Sequence, residues 1–249
     1  MKLDAAIVDR LAQTDPDRVR AAQLASADDR AALMVLYAFH AELARIPESV
    51  TQPLIGNMRY QFWRDVVEEI YADKPPRAHE IVAPLSELVR SRELPRYWID
   101  RLIDARERDL DPRPFETMHA AQDYAKATSG TLMQLAVHVL GGSDTEQVAA
   151  LGEAWGLIGL ARAYRFYKGS MLQHLDQPSL VSAARDTLAE GRGRLPATII
   201  PAVAYAAFVP LYARAMSHRG HDPAKGKVEV GAVAKQRRLL RAALTGRVG

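Results

Sequence analysis

No cysteine occurs in the 249 residues. Its absence excludes disulfides, thiolate metal sites and a cysteine nucleophile, and fits a reducing, cytoplasmic setting. No segment alternates apolar and polar residues between turn signals, so no sheet is expected. Charge of one sign is also lacking. Lys and Arg number 33 against 30 Asp and Glu, a net +3 that gives no reason to expect nucleic acid. No glycine-rich phosphate loop or nucleophile elbow stands out. The start, "MKLDAAIVDR", carries two aspartates and lacks the apolar core of a secretory signal.

What is present is apolar and helical. Hydrophobic residues make up 48% of the chain, enough for one large core. Ser26 with Asp29 reads as a capping box opening a helix that runs to Arg45, where Pro47 stops it. Ile55, Met58, Phe62, Val66 and Ile70 form a helical stripe in the next segment, which "KPP" ends. Two shorter helices follow, the second opened by Pro95, and "DPRPF" reads as a turn. The following helix is interrupted near Ser129-Gly130 and closed by a glycine pair. Another long helix runs through "TEQVAALGEAWGLIGLARAYRFYKG".

Leu195 to Ala213 holds no charge and is long enough to span a bilayer, but Pro196, Pro201 and Pro210 favour a kinked core helix. Gly152, Gly156 and Gly159 share a helix face, for close packing or as a flat ligand wall. Arg162 and Arg165 lie near a helix C-terminus, as a solvated end or as an anion site. Trp63, Trp98 and Trp155 read as core. His218, His221 and Asp222 sit in a polar loop and read as solvated rather than as metal ligands. From Lys225 onward the segment carries Lys227, Lys235, Arg237, Arg238, Arg241 and Arg247 against Glu229 alone. It reads as a basic terminus that is dispensable to the fold, either solvated or docked on an anionic membrane surface.

Three blocks in order resemble one family. "RYQFWRDVVEEIYADKPP" is similar to the Trp-Arg helix of the squalene/phytoene synthase family. The stretch "LVRSRELPRYWIDRLIDARERDLDPRPFETMHAAQDYAKATSGTLMQL", with Tyr124 and then Thr128-Ser129-Gly130, resembles its next block. "LGEAWGLIGLARA" resembles a third. The resemblance implies a single all-α isoprenoid-synthase-type bundle over residues 1–249, around an apolar cavity flanked by the helices that carry Tyr37, Phe62, Leu132 and Leu157.

The family's chemistry uses two Asp-rich helices that hold Mg²⁺ against a diphosphate. Tyr37 and Phe39 match the first motif, but its aspartate positions fall on Ala44, Arg45 and Glu48. Those of the second fall on Ala163 and Tyr167, and a tyrosine expected three residues after Tyr124 falls on Ala127. Glu42, Arg45 and Glu48 in "FHAELARIPESV" thus stand where a metal site would be and cannot build it. No metal is expected. Arg45 and Arg162 are expected to face each other across the site, one of them paired with Glu42 or Glu48.

Further ligand-binding candidates are Arg59, Phe62, Trp63 and Arg64 of the Trp-Arg helix, with Tyr124, Ser129 and Arg165. "FHAELA" and "MRYQFW" resemble a branch with degraded motifs that includes a mitochondrial complex I assembly factor. The resemblance implies a non-catalytic protein that binds a prenyl-like or lipid ligand or a protein partner, with a role in respiratory complex I assembly; the expected location is cytoplasmic, at the periphery of the inner membrane where the basic segment 225–249 docks. An active Mg²⁺-dependent prenyltransferase and a membrane interaction module are the alternatives.

Overall fold

The computed structural model describes residues 3–110, 113–143, 145–224 and 228–248. Among them every long element is helical, and the one β-bridge joins Arg194 to Arg247. Short helices α1 (Ala5–Thr14) and α2 (Pro16–Ala22) lead into α3 (Ala27–Arg45). Half of the capping box forms: the Ser26 hydroxyl accepts from the Asp29 amide at 3.2 Å and donates to the Asp29 carboxylate at 2.9 Å, and the helix ends before Pro47. Ten residues of α3 are buried, from Ala32 to Leu43.

Helix α4 (Pro53–Tyr71) buries Gly56, Tyr60, Trp63, Val66, Val67 and Ile70. The expected stripe is therefore rotated at its start. Ile55 and Met58 are 41% and 66% exposed, because the contact there is made by Gly56 against the side chain of Leu110. Helices α5 (Val82–Ser91) and α6 (Arg96–Glu107) follow, with Pro95 as the N-cap of the second. The expected turn includes Asp111 and Pro112, which lie outside the described residues.

Helix α7 (Met118–Ala125) passes through a π-helical turn, Lys126–Gly130, into α8 (Thr131–Val139). The interruption expected near Ser129-Gly130 is this turn. Thr128 hydrogen-bonds back to the Tyr124 carbonyl at 2.7 Å, which competes with the regular ladder and widens the helix locally. The glycine pair closes α8. Gly141 adopts φ +73°, and the amides of Gly141 and Gly142 bond to the carbonyls of His138 and Val137.

Helix α9 (Glu146–Arg162) is apolar on nearly all sides and sits in the middle of the bundle, packed on the π turn and on α11 (Gln177–Glu190). It does not run on through "RAYRFYKG". It stops at Ala163, and Tyr164–Tyr167 form the separate short helix α10. The apolar segment is a kinked core element, as its prolines suggest. Pro201 opens α12 (Ile200–Val203), Pro210 opens α13 (Val209–Met216), and the segment is mostly buried inside the fold.

The C-terminal helix α14 (Ala232–Thr245) is not a loose tail. It buries Lys235, Leu239 and Ala242, and Val248 beyond it is buried as well. Gly246 caps it in the left-handed conformation, φ +68°, and its carbonyl accepts from the Leu195 amide at 2.7 Å. Removing residues 225–249 would therefore strip packed residues from the core, contrary to the expectation of a dispensable terminus.

The glycine face of α9 divides in two. A Cβ on Gly152 would lie 2.6 Å from the Cα of Gly130, and one on Gly156 2.7 Å from the Cβ of Ala125, so both permit close packing against the π turn and α7. A Cβ on Gly159 meets nothing within 4 Å. Gly159→Ala is accordingly expected to stabilise the fold by about 1 kcal/mol through helix propensity alone. Gly152→Ala should destabilise it despite the same gain, because backbone must shift. Urea unfolding of the two variants checks the opposite signs.

Candidate functional site

A cavity of about 590 Å³ opens between α1, the start of α2, the second half of α3 and the end of α9. A second, of about 210 Å³, lies between α6, the π turn, α9 and α10. Arg18 and Trp155 line both, so the two spaces adjoin. Two of the helices expected to flank an apolar tunnel, those of Tyr37 and Leu157, do wall the larger cavity, but the space is not apolar. Tyr37, Leu132 and Leu157 are fully buried in packed core, and Phe62 lies against Trp63 and His79 away from both cavities. The larger cavity is instead walled by charge, with Arg10, Asp15, Arg18, Glu42, Arg45, Glu48 and Arg162 on its lining.

Local sequence places the deepest cation. Asp15 caps α2, Pro16 supplies its first turn, and Arg18 folds back onto the cap, its Nη1 2.5 Å from the Asp15 carboxylate. The Arg18 side chain is only 6% exposed. Its guanidinium stands 5.1 Å from the ring centroid of Tyr205 and 6.0 Å from that of Trp155, and its Nε has no hydrogen-bond partner. Arg106, from the last turn of α6, donates to Asp109 at 3.1 Å and to the Tyr124 hydroxyl at 3.2 Å; that hydroxyl in turn donates to Asp109 at 2.7 Å. The Nε of Arg106 is likewise buried without a partner. Arg162 lies 4.1 Å over the ring of Tyr212 and 3.8 Å from the Asp17 carboxylate.

His40 belongs to this set. Its Nε2 is 2.8 Å from Nη2 of Arg106. Arginine can only donate, so His40 accepts there and is the neutral tautomer with its proton on Nδ1. Burial, followed by the charges of Arg106 and Arg18, holds its pKa well below the ordinary 6.5.

Other sequence candidates are distributed more widely. Arg45, half exposed, donates to Glu42 at 3.0 Å, and Glu42 also lies 3.7 Å from Arg10. Arg45 and Arg162 share the cavity wall, but Arg162 turns towards Asp17 and Tyr212. Tyr124 and Ser129 line the smaller cavity. Phe39 packs edge-on against Trp63 at 5.2 Å in the core. Arg64 pins α4 to α6 through Asp104 and Glu107, and Arg59 donates to the Ser49 hydroxyl at 2.6 Å. Arg165 is exposed over the Phe166 ring. These three arginines lie outside both cavities. His221 is hydrogen-bonded to Gln177 at 2.9 Å, and His218 accepts from the Gly220 amide at 3.2 Å.

The magnesium implied by the resemblance is not matched by its donors. Ala44 and Ala163 offer none, Tyr167 is a phenol on a separate helix, Arg45 is a cation, and Glu48 lies beyond the break at Pro47. Among the described residues no three His, Asp or Glu side chains are grouped to hold a metal ion. A hard cation stripped of carboxylates would not be retained.

Sequence reasoning missed Arg18, His40, Arg106 and the carboxylates of Asp15, Asp17 and Asp109. "DPDRVR" and "DARERD" look like solvated charge; only the packing of distant aromatic residues over them encloses them.

Residues 11–166 match the squalene/phytoene synthase family. Complex I assembly factor 6 of Mus musculus is 38% identical over 136 residues, which are 53% of this chain and 40% of that protein. The Homo sapiens protein is 34% identical over 148 residues, 58% of this chain and 44% of that one. The chain thus spans less than half the length of these curated relatives. The crystal structure of squalene synthase HpnC from Alicyclobacillus acidocaldarius superposes with a TM-score of 0.70 at 15% identity, covering 88% of this chain and 94% of that one. This likeness speaks to the fold.

Because His40 is held neutral, the unfolded chain takes up a proton below about pH 6.5 that the folded chain refuses. Its contribution to stability is therefore present above that pH and lost on acidification, by at most about 1.4 kcal/mol per pH unit. His40→Gln keeps an acceptor for Arg106 and does not titrate. Urea unfolding at pH 8 and pH 5 should show the wild type losing more stability than the variant. Parallel losses would contradict the assignment.

Proposed function

The chain belongs to the squalene/phytoene synthase family, and from that premise we propose that it is a non-catalytic member. In this reading it binds a ligand with an anionic, phosphate-bearing head and serves the assembly of a respiratory complex. One observation carries the binding part: Arg18, Arg106 and Arg162 line adjoining cavities whose motif positions hold Ala44, Arg45, Ala163 and Tyr167 instead of metal-binding aspartates.

Ionising an allylic diphosphate needs the departing group stabilised by inner-sphere metal bonds. Arginine grips phosphate through charge and paired N–H donors, which favours holding the group over expelling it. A volume of about 590 Å³ lies within the roughly 300–1,000 Å³ common for small-molecule sites. The assembly role is supported by likeness to complex I assembly factor 6 over 53–58% of this chain, and is a proposal for the chain as a whole.

Calorimetric titration with farnesyl diphosphate, in Mg²⁺ and in EDTA, tests the binding, and a turnover assay with labelled substrate tests the silence. Binding should survive EDTA, and Arg162→Gln should weaken it about tenfold or more, the usual worth of a hydrogen bond to a charged group. No head-to-head product should form. Strictly Mg²⁺-dependent binding with product lost in EDTA would identify a working transferase. No binding in either buffer would leave only the assembly role.

A further inference from the structure

Helix α14 has two faces of different character. Lys235, Leu239 and Ala242 point into the bundle, where Lys235 Nζ lies 2.7 Å from both the Asp17 carboxylate and the Tyr212 hydroxyl. On the opposite side Val233, Leu240 and Leu244 are 76%, 49% and 85% exposed, and Arg237 and Arg241 are exposed between them. At 3.6 residues per turn these five side chains fall within an arc of about 100°. Arg247 is exposed just past the helix end. The helix itself contains no Asp or Glu, and Glu229 is the sole acid from residue 228 to 248.

We infer that this outer face of α14 is a docking surface for an anionic lipid bilayer, seated by its aliphatic side chains and held by its arginines. This inference is independent of any ligand in the cavities. Three aliphatic residues with cations set between and beside them match what a headgroup layer requires, apolar anchors for the acyl boundary and positive charge for lipid phosphates. A second copy fits poorly, because a symmetric contact through this face would bring Arg237 and Arg241 against their own counterparts. The face carries no aromatic anchor of the kind that dominates protein interfaces. A fluid planar surface needs neither a pocket nor shape complementarity. The buried lysine on the inner side fixes the rotation of the helix, so the outward arc is set by the core and not by a free terminus.

Vesicle co-sedimentation of the full chain tests the inference, using phosphatidylglycerol in phosphatidylcholine against phosphatidylcholine alone. The wild type should bind the anionic vesicles, release at high salt and ignore neutral ones. Arg237→Gln with Arg241→Gln should lower the partition by about 25-fold, from about fivefold per cation. Leu240→Ser with Leu244→Ser should weaken binding at low salt as well, where charge alone would persist. Arg90→Gln with Arg96→Gln, which removes equal charge from exposed positions on α5 and α6, should lower the partition far less. Leu240, Arg90 and Arg96 are about half exposed, the two arginines pairing with Asp73 and Asp100, and the other substituted side chains are open to solvent; circular dichroism verifies folding. Absent binding to anionic vesicles, unchanged binding by the α14 variants, or an equal loss in the control would overturn it. So would a concentration-dependent dimer that Leu240→Ser with Leu244→Ser dissolves, which would assign the face to self-association.

Discussion

A single carboxylate ties α2 and α9, which wall the larger cavity, to the last two helices of the fold. Asp17, on α2 and nearly inaccessible, accepts from the Tyr212 hydroxyl at 2.6 Å and from Lys235 at 2.7 Å, and faces Arg162 at 3.8 Å. It therefore joins the start of the chain to the end of α9, to α13 and to α14. Removing one partner of such a buried pair strands the other charge, a loss on the order of 3–5 kcal/mol. With two cations and a phenol converging on one acid, the orientation of Arg162 at the cavity and of α14 at the surface are fixed by the same group.

The cavities follow the same logic, again with positive charge in excess. Arg18 leans on Asp15 and Arg106 on Asp109, each pair adding an arene or a neutral imidazole to spread the remaining charge. Neither guanidinium is saturated, since each keeps a buried Nε without a partner. Positive charge that elsewhere would be brought by a metal is here built into the chain, and it remains in place whether or not divalent cations are available. Fixed arginines can hold an anion; they do not offer the exchangeable coordination positions that chemistry on a diphosphate uses. The same lining explains why the space is not an apolar tunnel: Tyr37, Leu132 and Leu157 have closed into the core around it.

Much of the fold was legible because local signals and tertiary packing agree. The Ser26 capping box, the stop at Pro47, the disturbance before Gly130 and the proline-segmented apolar helix all depend on backbone chemistry within a few residues. The stripe on α4 was misread at Ile55 and Met58 because periodicity gives a face but not which end of it finds a neighbour. The site was less legible. The loss of the aspartates could be seen from residue identities, whereas the burial of Arg18, Arg106 and Lys235 depends on partners as distant as Asp17 is from Lys235. A charged residue in a charged stretch gives no local sign of enclosure. The glycines of α9 show both outcomes on one face, with Gly152 needed for contact and Gly159 bordering open space.

The central claim is that arginines, and not metal ions, supply the positive charge at this site. Diffraction from crystals soaked in manganese and pyrophosphate, recorded at the manganese edge, tests it most directly. The account predicts pyrophosphate density against Arg18, Arg106 or Arg162, with no anomalous peak beside Glu48, Ala163 or Tyr167. An ordered manganese bridging pyrophosphate to Glu42 or Glu48 would contradict it.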